Sequence, residues 1–569
     1  MRKSCVVFGL ACALLLAGAA FGQSMPSMPG TGEHHHHDDT PPPDEKLGQV
    51  SFPTSCAARS QAPMMRGVAL LHSFGYTEAQ VQFAAIAKDD PKCAMAHWGI
   101  AMTQYHELWE PPSPEALKLG KSELAEARSL SAPSAAITPR EKAYIAALSA
   151  FFDPADATFQ QRADAYEAGM NALHRDFPDD VEGAAFDALA ILAATPPMDT
   201  SLTHEHQALA ILVPLFASHP DHPGLAHYII HTCDTPALAP EGLAAAREYA
   251  RIAPSSPHAL HMPGHIFARL GMWQEDINSN LASVAASKKA EAAAEPGAAH
   301  QMHADEFLIY AYLQVGQDEK ALVLTASMRG VGERMNAMPG MDDMKDAGPF
   351  FDNELNAIYP MEMHDWKAAA ALTPAPGSLA YELMDTYWGQ GVAAGHLRDA
   401  KLAAEALASF DQSVDALKKS RFASLAPGTD VKRNEIVGWK AFAENQPEAA
   451  VVAMRQAADQ QDKMGQDEVD IPAREMLGDL LLLEHKPAEA LKEYRVALKE
   501  SPNRLNGLLS AGDAAEQAGL ANEAREFYKA AAQQTDFGKD SQRPELAHAV
   551  EIVRKTIGAQ PTVARNASR

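Results

Sequence analysis

The feature that most constrains this chain is a period of 34 residues near its C-terminal end. Gly478 and Gly512, Ala490 and Ala524, and Tyr494 and Tyr528 each lie 34 positions apart. The stretches GDLLLLEHKPAEALKEYRVALKESP and GDAAEQAGLANEAREFYKAAAQ therefore carry small, small and aromatic residues in phase. A repeat of that length is one supersecondary unit that cannot bury its apolar face alone, so neighbouring units must stack. From Pro63 onward, apolar residues recur at three- and four-residue spacing, in segments rich in Ala, Leu, Glu, Lys and Gln and punctuated by Pro and Gly. That spacing predicts helix after helix. Strand-like alternation is almost absent, and the chain is expected to be all-α.

The repeat resembles the tetratricopeptide repeat (TPR) family, whose unit is a helical hairpin of helices A and B. Counting Gly478 as position 8 of a unit puts Ala490 at 20, Tyr494 at 24 and Pro502 at 32, as the family pattern expects. Upstream, Gly264 and Gly271 fit positions 8 and 15 with Phe267 at 11, Gly316 fits position 15 of the following unit, and Gly99 fits position 8 of an N-terminal one. The likeness is strongest over 471–535 and weaker over 223–335. It implies a right-handed α-solenoid of about ten helix pairs. The resulting division is a signal peptide over 1–22, a disordered His/Pro-rich linker over 23–50 and N-terminal helical repeats over 51–222. Histidine-rich TPR-like repeats follow over 223–335, divergent repeats with a long loop over 336–470, TPR repeats over 471–540 and a C-terminal helix and tail over 541–569.

The chain has 23 histidines, and some of them keep the repeat phase. His227 and His231 are four apart, as are His261 and His265, and each member of the second pair follows its counterpart by 34 residues. Residues four apart share one helix face, so both pairs occupy positions 5 and 9 of adjacent A helices. His258 falls at position 2 of the second unit, and the next unit places His303 at 2, Glu306 at 5 and Tyr310 at 9. In the TPR family these positions line the concave groove. The resemblance thus gathers His227, His231, His258, His261, His265, His303 and Glu306 on one wall. Imidazole suits Zn, Cu and Fe alike, so a transition metal ion is the expected cofactor, with uptake weakening as pH falls through about 6 to 6.5. Two other readings of the same residues stay open: a groove that holds a peptide or protein partner, and a metal-dependent enzyme, hydrolytic or oxidative. Cys233, at position 11 in phase with Phe267, is expected in the repeat core.

The remaining signals set the context. Arg2 and Lys3 precede an apolar stretch from Val6 to Ala20, with a cleavage-like Ala20-Phe21-Gly22, so the protein is expected to be exported, periplasmic or secreted. No later apolar run is long enough to span a membrane. Beyond the leader remain Cys56, Cys93 and Cys233. An oxidising compartment favours a Cys56–Cys93 disulfide over three unpaired thiols. His34 to His37 form either a solvated tail or a loose metal collector. Met335, Met338, Met341 and Met344 form either a flexible loop or a thioether site for Cu(I). Trp98, Trp109, Trp273 and Trp388 are expected in the core. A formal net charge of −26 with no basic patch argues against nucleic-acid binding. HExxH, GxSxG, P-loop and GxGxxG motifs are absent, the histidine helix reading HYIIH instead.

Overall fold

The computed structural model describes residues 44–558 apart from 109–110, 132–136, 197–198, 293–296, 338–346 and 421. The expected signal peptide, His34–His37, Trp109, Met338, Met341 and Met344 lie outside the described residues. Among the described residues the chain is helical from the first turn of Ala58–Ser60 to the last helix, Pro544–Gly558, with no strand. Consecutive helices pack on one another along the chain, as an all-α, TPR-like solenoid requires. No described helix is long and apolar enough to cross a membrane.

The repeat residues act as their phase implies. Between Ala473–Leu483 and Pro487–Glu500, a Cβ on Gly478 would sit 2.6 Å from the Tyr494 ring, and between Leu505–Gln517 and Ala521–Gln534 one on Gly512 would sit 2.3 Å from Tyr528. The missing side chain at position 8 is the space filled by the aromatic of position 24. Gly99 also receives a ring, but that of Phe83 in the preceding helix, with a built Cβ 2.4 Å away. The same ring lies 2.6 Å from a Cβ built on Gly67, 16 positions before it in the preceding helix, so the glycine-to-aromatic contact of the C-terminal repeats recurs at the N-terminal end. Trp98, Trp273 and Trp388 are buried as expected, and Met335 is buried inside the Asp318–Ala337 helix rather than looped out.

Two differences from a simple stacked array matter for the site. Residues 44–50, expected within a disordered linker, are seated on the helices: Leu47 is buried, Glu45 pairs with Arg66 at 2.7 Å, and the Gln49 amide donates to the Asp221 carbonyl at 2.9 Å. The C-terminal repeats also fold back on the central ones. Trp273 Nε1 donates to the Asn503 carbonyl at 2.8 Å, the Leu505 amide to Gln314 Oε1 at 2.9 Å, and Arg543 Nη2 to Asp318 Oδ1 at 2.9 Å. Gly271, in the left-handed region at φ +62°, would place a Cβ 2.1 Å from the Pro502 carbonyl oxygen. No side chain fits between the two arms there. Buried apolar residues form two clusters, one spanning 47–267 and the other 268–553. The histidines lie along the seam.

Cys56 and Cys93 are joined, with S–S at 2.00 Å and Cα atoms 4.7 Å apart. Cys233 is a buried free thiol in contact with Gly242, in the packing role its phase suggested.

Candidate metal centre

Three A helices bring the predicted residues together. His227 and His231 come from Pro223–Thr232, and His258 and His261 from the short helix Pro257–His261. His265 comes from Pro263–Arg269, and His303 and Glu306 from Gly297–Gln314. Pro263 has no N–H to continue the ladder, but Met262 keeps helical angles of −50° and −35° across the junction. His261 and His265 therefore stay on one face, their rings 4.8 Å apart.

The imidazoles gather in two triads whose ligand atoms lie within 4.8 Å of one another: His227, His231 and His258, and His261, His265 and His303. In the first, His227 Nε2 is 3.0 Å from both His258 Nε2 and His231 Nε2. In the second, His261 Nε2 is 2.9 Å from His265 Nε2. The opposite ring nitrogens are fixed by acceptors. His227 Nδ1 donates to the His72 carbonyl at 2.7 Å, His261 Nδ1 to Asn280 Oδ1 at 2.6 Å and His303 Nδ1 to Glu306 Oε2 at 2.8 Å. His265 Nδ1 lies 3.0 Å from both Asp234 Oδ2 and Glu468 Oε1. Asn280 is itself oriented, its Nδ2 donating to Asp276 Oδ1 at 2.6 Å. That pair fits because Gly264 has no side chain: a Cβ there would come within 2.7 Å of Asp276 Oδ1 and 2.8 Å of Asn280 Nδ2.

A carbonyl can only accept, so His227 carries its neutral proton on Nδ1 and turns a bare Nε2 lone pair inward. That lone pair meets two other Nε2 atoms at once, more than one shared proton can satisfy. Edges of 2.9–3.0 Å are close to what two nitrogens on one ion with bonds of about 2.0–2.1 Å subtend. Anchoring of the distal nitrogen by a carbonyl, amide or carboxylate is the usual support of a metal-binding imidazole.

The surroundings are dry. His227, His258, His261 and His265 are no more than 6 % exposed, while His231 and His303 are half-buried. Burial holds His227, His258, His261 and His303 well below the usual imidazole range, and neighbouring imidazoles push the same way. Burial takes His231 down to about 3 and the adjacent His300 to about 4. His265 is the exception: burial alone would lower it, but Asp234 and Glu468 outweigh that and hold it up at about 10. Loss of these lone pairs on acidification is thus shifted below the ordinary imidazole range for most of the cluster. Glu306 is also buried and shifted well upward, by burial and then by Glu354. It stands behind His303 rather than beside the triad nitrogens.

The histidine face is not an open groove. Phe74, from the turn after the Gln61–His72 helix, stacks against His231 and His258 and meets His227 edge-on. Residues 465–471 close another side: Arg269 bonds the Gln466 carbonyl and bridges Asp234 and Glu468, and Tyr310 donates to the Asp470 carbonyl at 2.5 Å.

Sequence reasoning missed Asp234 as a support, Glu468, Asn280 and Phe74. The HYIIHTCD context displayed Asp234; nothing periodic marks the others. Two further clusters are satisfied without an ion. His72 Nε2 and His222 Nε2 share Glu182 Oε2 at 2.6 and 3.1 Å, His72 Nδ1 meets Tyr228 Oη at 2.8 Å, and His222 Nδ1 accepts the Leu225 amide. Asp90, beside the Cys56–Cys93 disulfide, accepts from the Ala57 amide at 2.7 Å.

No family model matches the chain, and no curated protein matches it. Among solved structures, a human IFIT1 dimer with m7Gppp-AAAA is 14% identical with a TM-score of 0.35, covering 77% of this chain and 90% of that one. A Naa15/Naa10 complex bound to HypK-THB is 11% identical with a TM-score of 0.19, covering 87% and 91%. Likenesses this distant carry neither the RNA of the first nor the protein partners of the second over to this chain.

Proposed function

We propose that this protein is a metal-binding TPR-like solenoid whose histidines, drawn from three neighbouring A helices, hold a transition metal such as Zn, Cu or Fe. The observation that carries the reading is His227 Nε2, a lone pair facing two further Nε2 atoms at 3.0 Å while Nδ1 is held by a carbonyl. A bound cation satisfies all three nitrogens together. Asp234 and Glu468 behind His265 raise its basicity and supply negative charge against the ion, and Glu306 orients His303. The leader-like N-terminus and the Cys56–Cys93 disulfide support an exported, periplasmic or secreted setting.

Metal-dependent catalysis, hydrolytic or oxidative, is the second reading. It is favoured by donor sets of three nitrogens, which leave coordination positions open for water or dioxygen. The half-buried His231 and His303 mark the side from which a small ligand reaches the ion. A peptide or protein partner finds no free histidine wall, since Phe74 and 465–471 cover it, and would have to use another face of the solenoid.

Elemental analysis of the chain purified without an affinity tag, followed by equilibrium metal titration, tests the proposal. Retention of a transition metal that is lost in the His231→Ala/His265→Ala double variant, with helical circular dichroism unchanged, is the expected result. Equal metal content in the two proteins would sink it.

A further inference from the structure

The two triads are one pattern used twice. His227 and His231 stand at positions 5 and 9 of one repeat, and His258 at position 2 of the next. His261 and His265 stand at positions 5 and 9 of that next repeat, and His303 at position 2 of the one after. Each set is closed on itself, its ligand atoms within 4.8 Å of one another, and the six do not form one such group among the described residues. With bonds of about 2.0–2.1 Å, an ion cannot hold nitrogens more than about 4.2 Å apart, so six spread imidazoles exceed one ion's reach.

The surroundings repeat as well. Phe74 lies 4.4, 5.4 and 5.7 Å from the His227, His231 and His258 rings. Phe307 lies 4.9, 4.8 and 5.3 Å from His261, His265 and His303. Each triad thus has a phenylalanine against all three of its imidazoles. In the third repeat, positions 5 and 9 are Glu306 and Tyr310, and the pattern stops.

We infer that the chain holds two transition-metal ions, one at each junction between successive repeats, each on two imidazoles from one A helix and one from the next. This rests on the histidine centre proposed above. Register makes the sites: in a solenoid the position-2 side chain of one repeat lies beside positions 5 and 9 of the repeat before it, so a histidine at each builds a three-nitrogen site without a dedicated loop.

The test is titration of the metal-stripped full chain with Zn(II), in a background where His34 to His37 are replaced by Ala so that the tail takes up none. His231 and His303 are half-buried, which makes them the substitutions least disruptive to packing. Two tight equivalents are expected for the parent, one for His231→Ala, one for His303→Ala and none for the double variant. A single equivalent in the parent would overturn the inference while leaving a histidine centre in place. So would loss of all binding in either single variant with helical content intact. No tight binding by the parent would overturn the centre itself. If an alanine variant loses helicity, His231→Gln and His303→Gln replace it, and the same counts decide.

Discussion

The 227/231/258 and 261/265/303 triads share a register but are held from behind by different groups. The first has a backbone carbonyl, that of His72, on its central imidazole. The second has side chains throughout: Asn280 on His261, Asp234 and Glu468 on His265, and Glu306 on His303. A carbonyl orients a ring but adds no charge, whereas a carboxylate orients it and increases its basicity. His227, on a carbonyl, is held well below the usual imidazole range by burial, while His265, on two carboxylates, is held up at about 10. Repetition brings the imidazoles together, and what stands behind them differs between the two sets.

The largest test of the contrast is His265→Ala, which should abolish the tighter of the two metal-binding steps and leave the weaker one, read by titration calorimetry. Survival of the tighter step would place it at the other triad. Next is Glu468→Gln, expected to weaken that same step by roughly 10–100-fold while the 227/231/258 step stays put. A uniform loss at both would mean the carboxylate acts on the fold rather than on one ion.

The effect of pH on the metal-free protein is smaller and has two signs. His227, His231, His258, His261 and His303 have folded pKa values below 6.5. Below pH 6.5 the unfolded chain therefore binds more protons, and stability falls as pH drops. His265, held up at about 10, contributes stability that is fully present below 6.5 and is lost as pH rises toward 10. Urea midpoints should decline steeply from pH 7 to 5 and shallowly from 7 to 9, and Glu468→Gln should flatten the alkaline side. A midpoint unchanged between pH 7 and 5 would contradict the burial of the cluster. The smallest effect expected is from replacing His34 to His37 by Ala, which should remove only weak, non-saturating metal uptake, as followed by equilibrium dialysis.

The parts of this site that follow the repeat were legible in the sequence. His227, His231, His261 and His265 announce themselves by a 34-residue offset, and His258 and His303 by their position in the unit. Gly478 and Tyr494 display the helix contact in the same way. Glu468 could not be read, because it reaches His265 across 203 residues from a segment with no helical phase. Phe74 sits at φ +53° in a turn, and a turn's direction is not written in hydrophobic spacing. The cover that Phe74 and 465–471 place over the histidine wall escaped for the same reason. Periodicity describes how each unit meets the next, and the closure depends on contacts between distant units.

The 465–471 segment also bears on the order of folding. A solenoid assembles mostly from contacts between sequence neighbours, which form quickly. Seating Glu468 against His265 and Arg269 instead closes a loop of about 200 residues, at an entropic cost on the order of 4–5 kcal/mol. The individual hairpins can form before that cost is met, but the charged backing of the 261/265/303 triad cannot. In a nascent chain the 72–74 turn precedes residues 227–258, whereas Glu468 follows His265 by 203 residues, so the 227/231/258 imidazoles would be backed before the second set matures, and metal acquisition in the cell would proceed in that order.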